Sequence, residues 1–239
     1  MPKERLDKIL VSQGIGSRKE VQPLIRRGTV TVDGVVVRAV DFKVDPEQAE
    51  IQYNGAPLNF QRFVYFMLHK PAGVVSASRD PKEPTVVDLM PEHVRHRDLF
   101  PAGRLDKDTW GLLIITDDGD FAHRMLAPKN EIYKHYEAVV RDPVTQEDID
   151  AFADGVVFAD GTVCRKAGLQ ILQPGEHPLV EVRIHEGKYH QVKKMFLARG
   201  NEVLQLKRTR IGELSLDPNL APGECRALTK EEVKQVFLR

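Results

Sequence analysis

A chain of 239 residues, 41% hydrophobic and 29% charged, has the length for one large or two smaller domains and the composition of an ordinary globular protein, which excludes the disordered and fibrous classes. No apolar run is long enough to cross a bilayer, and the opening Met-Pro-Lys-Glu-Arg-Leu-Asp lacks the apolar core of a signal peptide, so a cytoplasmic protein without a membrane partner is expected. Cys164 and Cys225 lie far apart with no ligand-spaced companion, which suggests neither a zinc site nor a disulfide framework.

Lysine plus arginine balances aspartate plus glutamate at 35 each, but the charge is uneven. Residues 1 to 38 hold eight cations against four anions, and residues 186 to 210 hold seven against two. Two basic stretches on a neutral body are either a footprint for nucleic acid or two solvated faces.

In chain order, Arg5 to Gln13 places Leu6, Ile9 and Leu10 at helical spacing before Gly14. Ser17-Arg18-Lys19-Glu20 is a capping box opening a second helix with the apolar stripe Val21, Leu24 and Ile25. Pro23 falls inside it and is expected to kink or shorten it. Arg26-Arg27-Gly28 ends the helix, and Val30-Thr31-Val32 with Val35 to Val37 around Asp33-Gly34 reads as a hairpin. This helix, helix, hairpin unit, with Arg5-Leu6-Asp7-Lys8 at its start, resembles the S4-like RNA-binding domain. The resemblance implies RNA contacts from Arg5, Ser17, Arg18, Lys19, Arg26 and Arg27. Guanidinium groups at both ends of a short helix suit phosphate contact, which orients RNA without reading its sequence.

Short strands follow to Leu58, with Asn54-Gly55 as a second hairpin turn. The expected domains are therefore 1–58 and 63–239, joined by a linker at about 59–62. In the second, strands are expected at Phe63 to Leu68 and Val74-Val75, a short helix at Thr85 to Met90, a strand at Leu112 to Ile115, and a helix from about Asp118 to Leu126. Further strands are expected at Tyr133 to Val140, near Val156 and Val163, at Leu169 to Leu172 and at Val180 to Ile184. Helices are expected from Thr145 to Ala153, Tyr189 to Arg199 and Lys230 to Phe237, with strands at Val203 to Leu206 and Ile211 to Leu216. Many strands, few helices and no regular alternation predict an α+β fold with a largely antiparallel, mixed β-sheet flanked by helices.

Ala102 to Gly119 stands out in this pattern, because it sets Asp106 on a polar loop directly before a buried strand. A rigid strand with an accessible loop is where catalytic groups sit, although a loop aspartate is by default a turn residue. Asp106 with Asp108, or Asp117 with Asp118, is a conceivable metal pair, but nearby cations and the lack of further carboxylates argue against it. Asp117 and Asp118 read as helix caps, His123 and His135 as structural, and Trp110 as a packing anchor.

Gly103-Arg104-Leu105-Asp106, Tyr133-Lys134-His135-Tyr136 and Glu186-Gly187-Lys188-Tyr189-His190-Gln191-Val192-Lys193-Lys194-Met195-Phe196 occur in this order behind an S4-like domain. With Phe66-Met67-Leu68-His69-Lys70-Pro71 and Ala221-Pro222-Gly223-Glu224, the set closely resembles the RsuA branch of the pseudouridine synthases. The resemblance implies isomerisation of a uridine in ribosomal RNA to its carbon-linked form, with no cofactor and no metal. Within the branch the chain looks most like enzymes of the small-subunit (16S) RNA, with the large-subunit enzymes as the alternative. A non-catalytic RNA-binding assembly factor is the competing class.

By this carry-over Asp106 is the essential carboxylate, Tyr136 stacks on the target base, Lys193 pairs with Asp106, and Arg104 helps hold the loop or the displaced nucleotide. His190, Gln191, Lys194, Arg208 and Arg210 are the expected RNA contacts of the second basic stretch. The expected partner is ribosomal RNA or a pre-ribosomal particle, bound by a monomer. Breaking the bond from ribose C1′ to N1 and remaking it to C5 requires the base to leave the stack and turn in a closed pocket. An aromatic face holds such a base while leaving it free to rotate.

Overall fold

The computed structural model describes residues 3–238; Met1, Pro2 and Arg239, the outermost residues of the two expected domains, lie outside them. The chain forms two compact units, one running to Val64 and including Pro91–Asp98, the other made of Tyr65–Met90 and the chain from Leu99 onward.

In the first unit, helices Leu6–Ser12 and Arg18–Arg27 bury Leu6, Ile9, Leu10, Val21 and Ile25 against Val30, Val32, Val37, Val44 and Ile51. The capping box is formed, with the Ser17 N–H donating to the Glu20 carboxylate at 2.7 Å, and Gly28 closes the helix in the left-handed region at φ 81°. Pro23, expected to kink or shorten this helix, lies within it without shortening it. It is exposed, so water can satisfy the carbonyl it leaves without a donor one turn back. Strands Val30–Val32 and Val35–Val36 join through Asp33 and Gly34, both at positive φ (50° and 78°), as a type I′ hairpin requires. The segment Pro91–Asp98, expected within the larger domain, packs in this unit: Arg97 donates to the carbonyls of Ser12 at 2.9 Å and Arg62 at 2.7 Å.

The second unit is built on a mixed sheet that, among the described residues, has nine strands. Its main path runs Gly168–Gln173, Leu179–Ile184, Lys134–Val140, Val203–Ile211, Trp110–Thr116, Tyr65–Lys70, Cys225–Ala227. Neighbours on this path are antiparallel except Val203–Ile211 and Trp110–Thr116, which run parallel. Helix Gly119–Leu126, capped by Asp118 onto the Phe121 N–H at 3.0 Å, packs Phe121, Ala122 and Met125 against Met67, Leu112 and Ile114. Helix Gln191–Ala198 buries Val192, Met195 and Phe196 on one face, as its spacing predicts.

Several expected elements differ. Thr85 to Met90 is a set of turns, because Asp88 folds back to accept from the Thr85 N–H and hydroxyl, both at 2.8 Å. Val203 to Ile211 is one continuous strand, with Arg208 pairing across both Tyr136 and Gly111. Val74-Val75 and the region near Val156 and Val163 make only isolated bridges. The first strand of the unit is displaced to Tyr65–Lys70. No helix among the described residues is long and apolar enough to cross a membrane.

Candidate active site

Asp106 sits in the connection from the Phe100–Pro101 strand to the Trp110–Thr116 strand, and the loop is pinned from two sides. On one side the Ser76 hydroxyl donates to the Leu105 carbonyl at 2.8 Å and accepts from the Leu105 N–H at 3.0 Å. On the other, the fully buried Lys70 ammonium donates to the carbonyls of Thr109 at 2.8 Å, Pro71 at 2.9 Å and Lys107 at 3.2 Å. Burial pushes the Lys70 amine down to about 8, against the attraction of Asp108 and Asp106. Neither Ser76 nor Lys70 was anticipated as a support of the site. The available signal was Lys70 itself, a cation at the end of the apolar run Phe66-Met67-Leu68.

Gly111 draws the next strand against the site. At φ 105°, a Cβ there would fall 2.2 Å from the Arg208 carbonyl oxygen, so only glycine permits the approach. The approach sets Arg208 beside Leu112, whose carbonyl accepts from Arg208 Nε at 2.8 Å.

The Asp106 side chain is 25% exposed and faces two cationic or potentially cationic groups from the start of helix Gln191–Ala198. His190 Nε2 lies 3.5 Å away and Lys193 Nζ 3.6 Å away. The expected Lys193–Asp106 pair is thus present but is not the tighter one, because Lys193 also grips both Asp108 oxygens at 2.6 and 2.7 Å. That grip holds the exposed Asp108 carboxyl below the usual range. His190, expected to contact RNA, therefore stands beside the carboxylate, carried there by a left-handed backbone at φ 53°.

Asp106, Arg104, Tyr136, Lys134, His190 and Arg208 are among the residues lining one cavity of about 620 Å³. Tyr136 is buried on strand Lys134–Val140. The Arg208 guanidinium carbon lies 5.9 Å from its ring centroid and Nη1 lies 3.5 Å from its hydroxyl. Arg208, an expected RNA contact, is buried and lines this cavity. Arg104 is exposed at the same cavity.

Other expected RNA contacts fall differently. Gln191 is buried, accepting from the Lys188 N–H at 2.8 Å and donating to Glu186 at 2.7 Å, which spends its amide on closing the helix start. Burial opposes ionisation of Glu186, but Lys188, the Arg165 N–H and Gln191 outweigh it and hold the carboxyl below its usual range. Lys194 lies over the Tyr189 and Phe158 rings at 5.2 and 5.6 Å. Arg210 contacts His135 at 3.0 Å and lines a separate cavity of about 520 Å³ with Tyr133, Lys166 and Arg183.

In the first unit, Ser17, Arg18, Lys19, Arg26 and Arg27 are exposed. Arg5 and Arg18 converge on the fully buried Asp7 at 3.0 and 3.3 Å. Among the described residues no cluster of three or more histidines, cysteines or carboxylates could hold a metal ion.

A pinned carboxylate with a lysine 3.6 Å away thus shares one cavity with a buried tyrosine. The profile for RNA pseudouridylate synthases matches residues 64–198 and that for the S4 domain residues 4–49. The chain belongs to the RNA pseudouridylate synthase family, carrying an S4 domain ahead of the synthase fold. It is 46% identical over 231 residues to an uncharacterized RNA pseudouridine synthase of Bacillus subtilis, covering 96% of each chain. It is 43% identical over 234 residues to ribosomal small subunit pseudouridine synthase A of Escherichia coli strain K12, covering 97% of this chain and 99% of the relative. A crystal structure of a pseudouridylate synthase matches it with a TM-score of 0.68 and 34% identity, over 98% of this chain and 99% of the other. The expected α+β architecture and the expected family both hold.

Proposed function

We propose that this chain converts a uridine of small-subunit ribosomal RNA to pseudouridine, with Asp106 as the essential carboxylate. The observation that carries the reading is the shared cavity, which holds Asp106 and Tyr136 together with Lys193 3.6 Å from the carboxylate. The relatives of this length named for the small subunit support the choice of RNA. Asp106 acts at the ribose, either as nucleophile on C1′ or by moving a sugar proton. Lys193 complements its negative charge, Tyr136 stacks on the base as it turns, and Arg104 at the rim holds the displaced nucleotide. The exposed Arg18, Lys19, Arg26 and Arg27 of the S4 domain neutralise RNA phosphates. The chain acts as a monomer on ribosomal RNA or a pre-ribosomal particle in the cytoplasm.

Asp106→Asn is close to isosteric and tests the reading against a purely RNA-binding role. Pseudouridine formation in ribosomal RNA should vanish while RNA affinity stays within about threefold; full modification by the variant would remove Asp106 from the chemistry.

A further inference from the structure

Lys134 and Arg208 are two buried cations to which the reading above gives no task. They are 5% and 4% exposed, and both line the Asp106 cavity. Among the described residues neither is paired with a carboxylate. The Lys134 ammonium has only the Met125 carbonyl at 3.5 Å, and Arg208 Nη2 is buried with no hydrogen-bond partner. Burial and the neighbouring Arg208 push the Lys134 amine down to about 8.

Buried charges without counterions are unfavourable, and a native site that keeps them is short of an anion. Their placement indicates which anion. Lys134 and Tyr136 are two residues apart on one strand and so share a face, and Tyr136 is directly opposite Arg208 on the next strand. A base stacked on Tyr136 therefore has one cation along the strand and one across it. A backbone phosphate stays with the RNA chain towards solvent, whereas these groups are more than nine-tenths buried on the sheet.

We propose that Lys134 and Arg208 stabilise the uracil anion released when the C1′–N1 bond breaks. The inference rests on the reading of Asp106 and Tyr136 given above. In that step the bonding electron pair stays on N1 and delocalises onto O2 and O4, while C1′ either bonds an Asp106 carboxylate oxygen or forms a double bond to C2′ as Asp106 takes the C2′ proton. Rotation presents C5, whose electrons form the C1′–C5 bond as the carboxylate oxygen leaves C1′, or as Asp106 returns the proton to C2′. C5 then gives up its proton and N1 gains one, so the reaction is balanced without a co-reactant. Neutral uridine gains little from the two cations and the anion gains much, which is the differential binding that accelerates a step.

The test compares single-turnover loss of the target nucleoside in RNA carrying uridine or 5-fluorouridine, for the wild type, Lys134→Met and Arg208→Lys. Fluorine withdraws electrons and stabilises the anion without help from the protein. On uridine, Lys134→Met should slow the reaction about 100-fold, the scale of losing one charge-stabilising donor, and Arg208→Lys, which keeps a charge, by less. On 5-fluorouridine the Lys134→Met loss should shrink to about 10-fold or below. RNA affinity should stay within about threefold, and Lys134→Met should unfold at the wild-type temperature or above it, since an unpaired buried cation has been removed.

Equal losses on both substrates overturn the proposal. So does a loss confined to affinity, which would assign the cations to a phosphate, and so does a rate loss that merely follows a lowered melting temperature. An inactive wild type would instead refute the isomerase reading itself.

Discussion

Lys70→Met separates the stability of the second unit from the order of its Asp106 loop. The substitution removes three donors, at 2.8 to 3.2 Å, from the carbonyls of Thr109, Pro71 and Lys107. The Lys107 carbonyl retains the Gly73 N–H at 2.8 Å, so the main loss falls on Thr109 and Pro71, at about 1–3 kcal/mol for each carbonyl left unsatisfied. Removing the ammonium also removes its burial penalty: the fall of its pKa from 10.5 to about 8 corresponds to about 3 kcal/mol. The two effects nearly cancel at pH 7, and we expect a net destabilisation of at most about 3 kcal/mol. The loop itself has lost its clamp, so kcat should fall at least about 10-fold with KM little changed, as expected when a reacting group is misplaced. A pH dependence follows as well. Native Lys70 gives up its proton near pH 8 and the unfolded chain only near 10.5. The unfolded state binds more protons between these values, so this group makes stability rise with pH there. The Met variant lacks that rise, and the gap between the two proteins should widen by up to about 3 kcal/mol from pH 8 to 10.5. Urea denaturation at pH 7 and pH 10, with pseudouridine formation measured at pH 7, checks both parts. An unchanged kcat, or a gap that is the same at both pH values, would refute the reasoning.

Asp7→Asn should destabilise the first unit by about 2 kcal/mol at pH 7. Arg5 above all, then Arg18 and Gln22, hold the buried Asp7 carboxyl at about 2 against the cost of burial. Because the native pKa is depressed, this stability is complete above the ordinary value of 3.8 and disappears as the pH falls through about 2. The variant should therefore lack that part of the acid sensitivity in urea melts. Asp108→Asn should change kcat by less than about fivefold, because its pair with Lys193 lies on the surface and contributes little, whereas Lys193→Met should cost about 100-fold; similar losses from the two in a turnover assay would contradict the assignment. Arg26→Gln with Arg27→Gln should reduce the slope of log affinity against log salt by roughly 1 to 2 in an RNA titration, and leave the rate at saturating RNA unchanged.

Elements set by neighbouring residues were legible in the sequence. Ser17 with Glu20 forms the expected capping box and the helices expected near Thr145 and Lys230 are present, and Asp33-Gly34 and Asn54-Gly55 both take the positive φ values of their turns. The errors arose where a distant or side-chain interaction overrode the local pattern. Asp88 diverts a helical stretch into turns through Thr85, and Arg97 fixes its segment to the first unit through carbonyls more than thirty residues away in sequence.

The site divides in the same way. Asp106, Tyr136 and Lys193 carry family motifs that can be read in order, but a motif does not state which of two carboxylates a lysine grips, and Lys193 lies closer to Asp108. Arg208 is the most informative case. The run Lys207-Arg208-Thr209-Arg210 reads as a uniformly basic surface, yet strand alternation and a register shift opposite His135 and Tyr136 send Arg208 inward and leave its neighbours Lys207 and Thr209 half-buried. Charge in the sequence marks the stretch as cationic. Only the pairing of Tyr136 with Arg208 and of Arg208 with Gly111 turns one of those charges from a candidate phosphate contact into a buried group in the floor of the cavity.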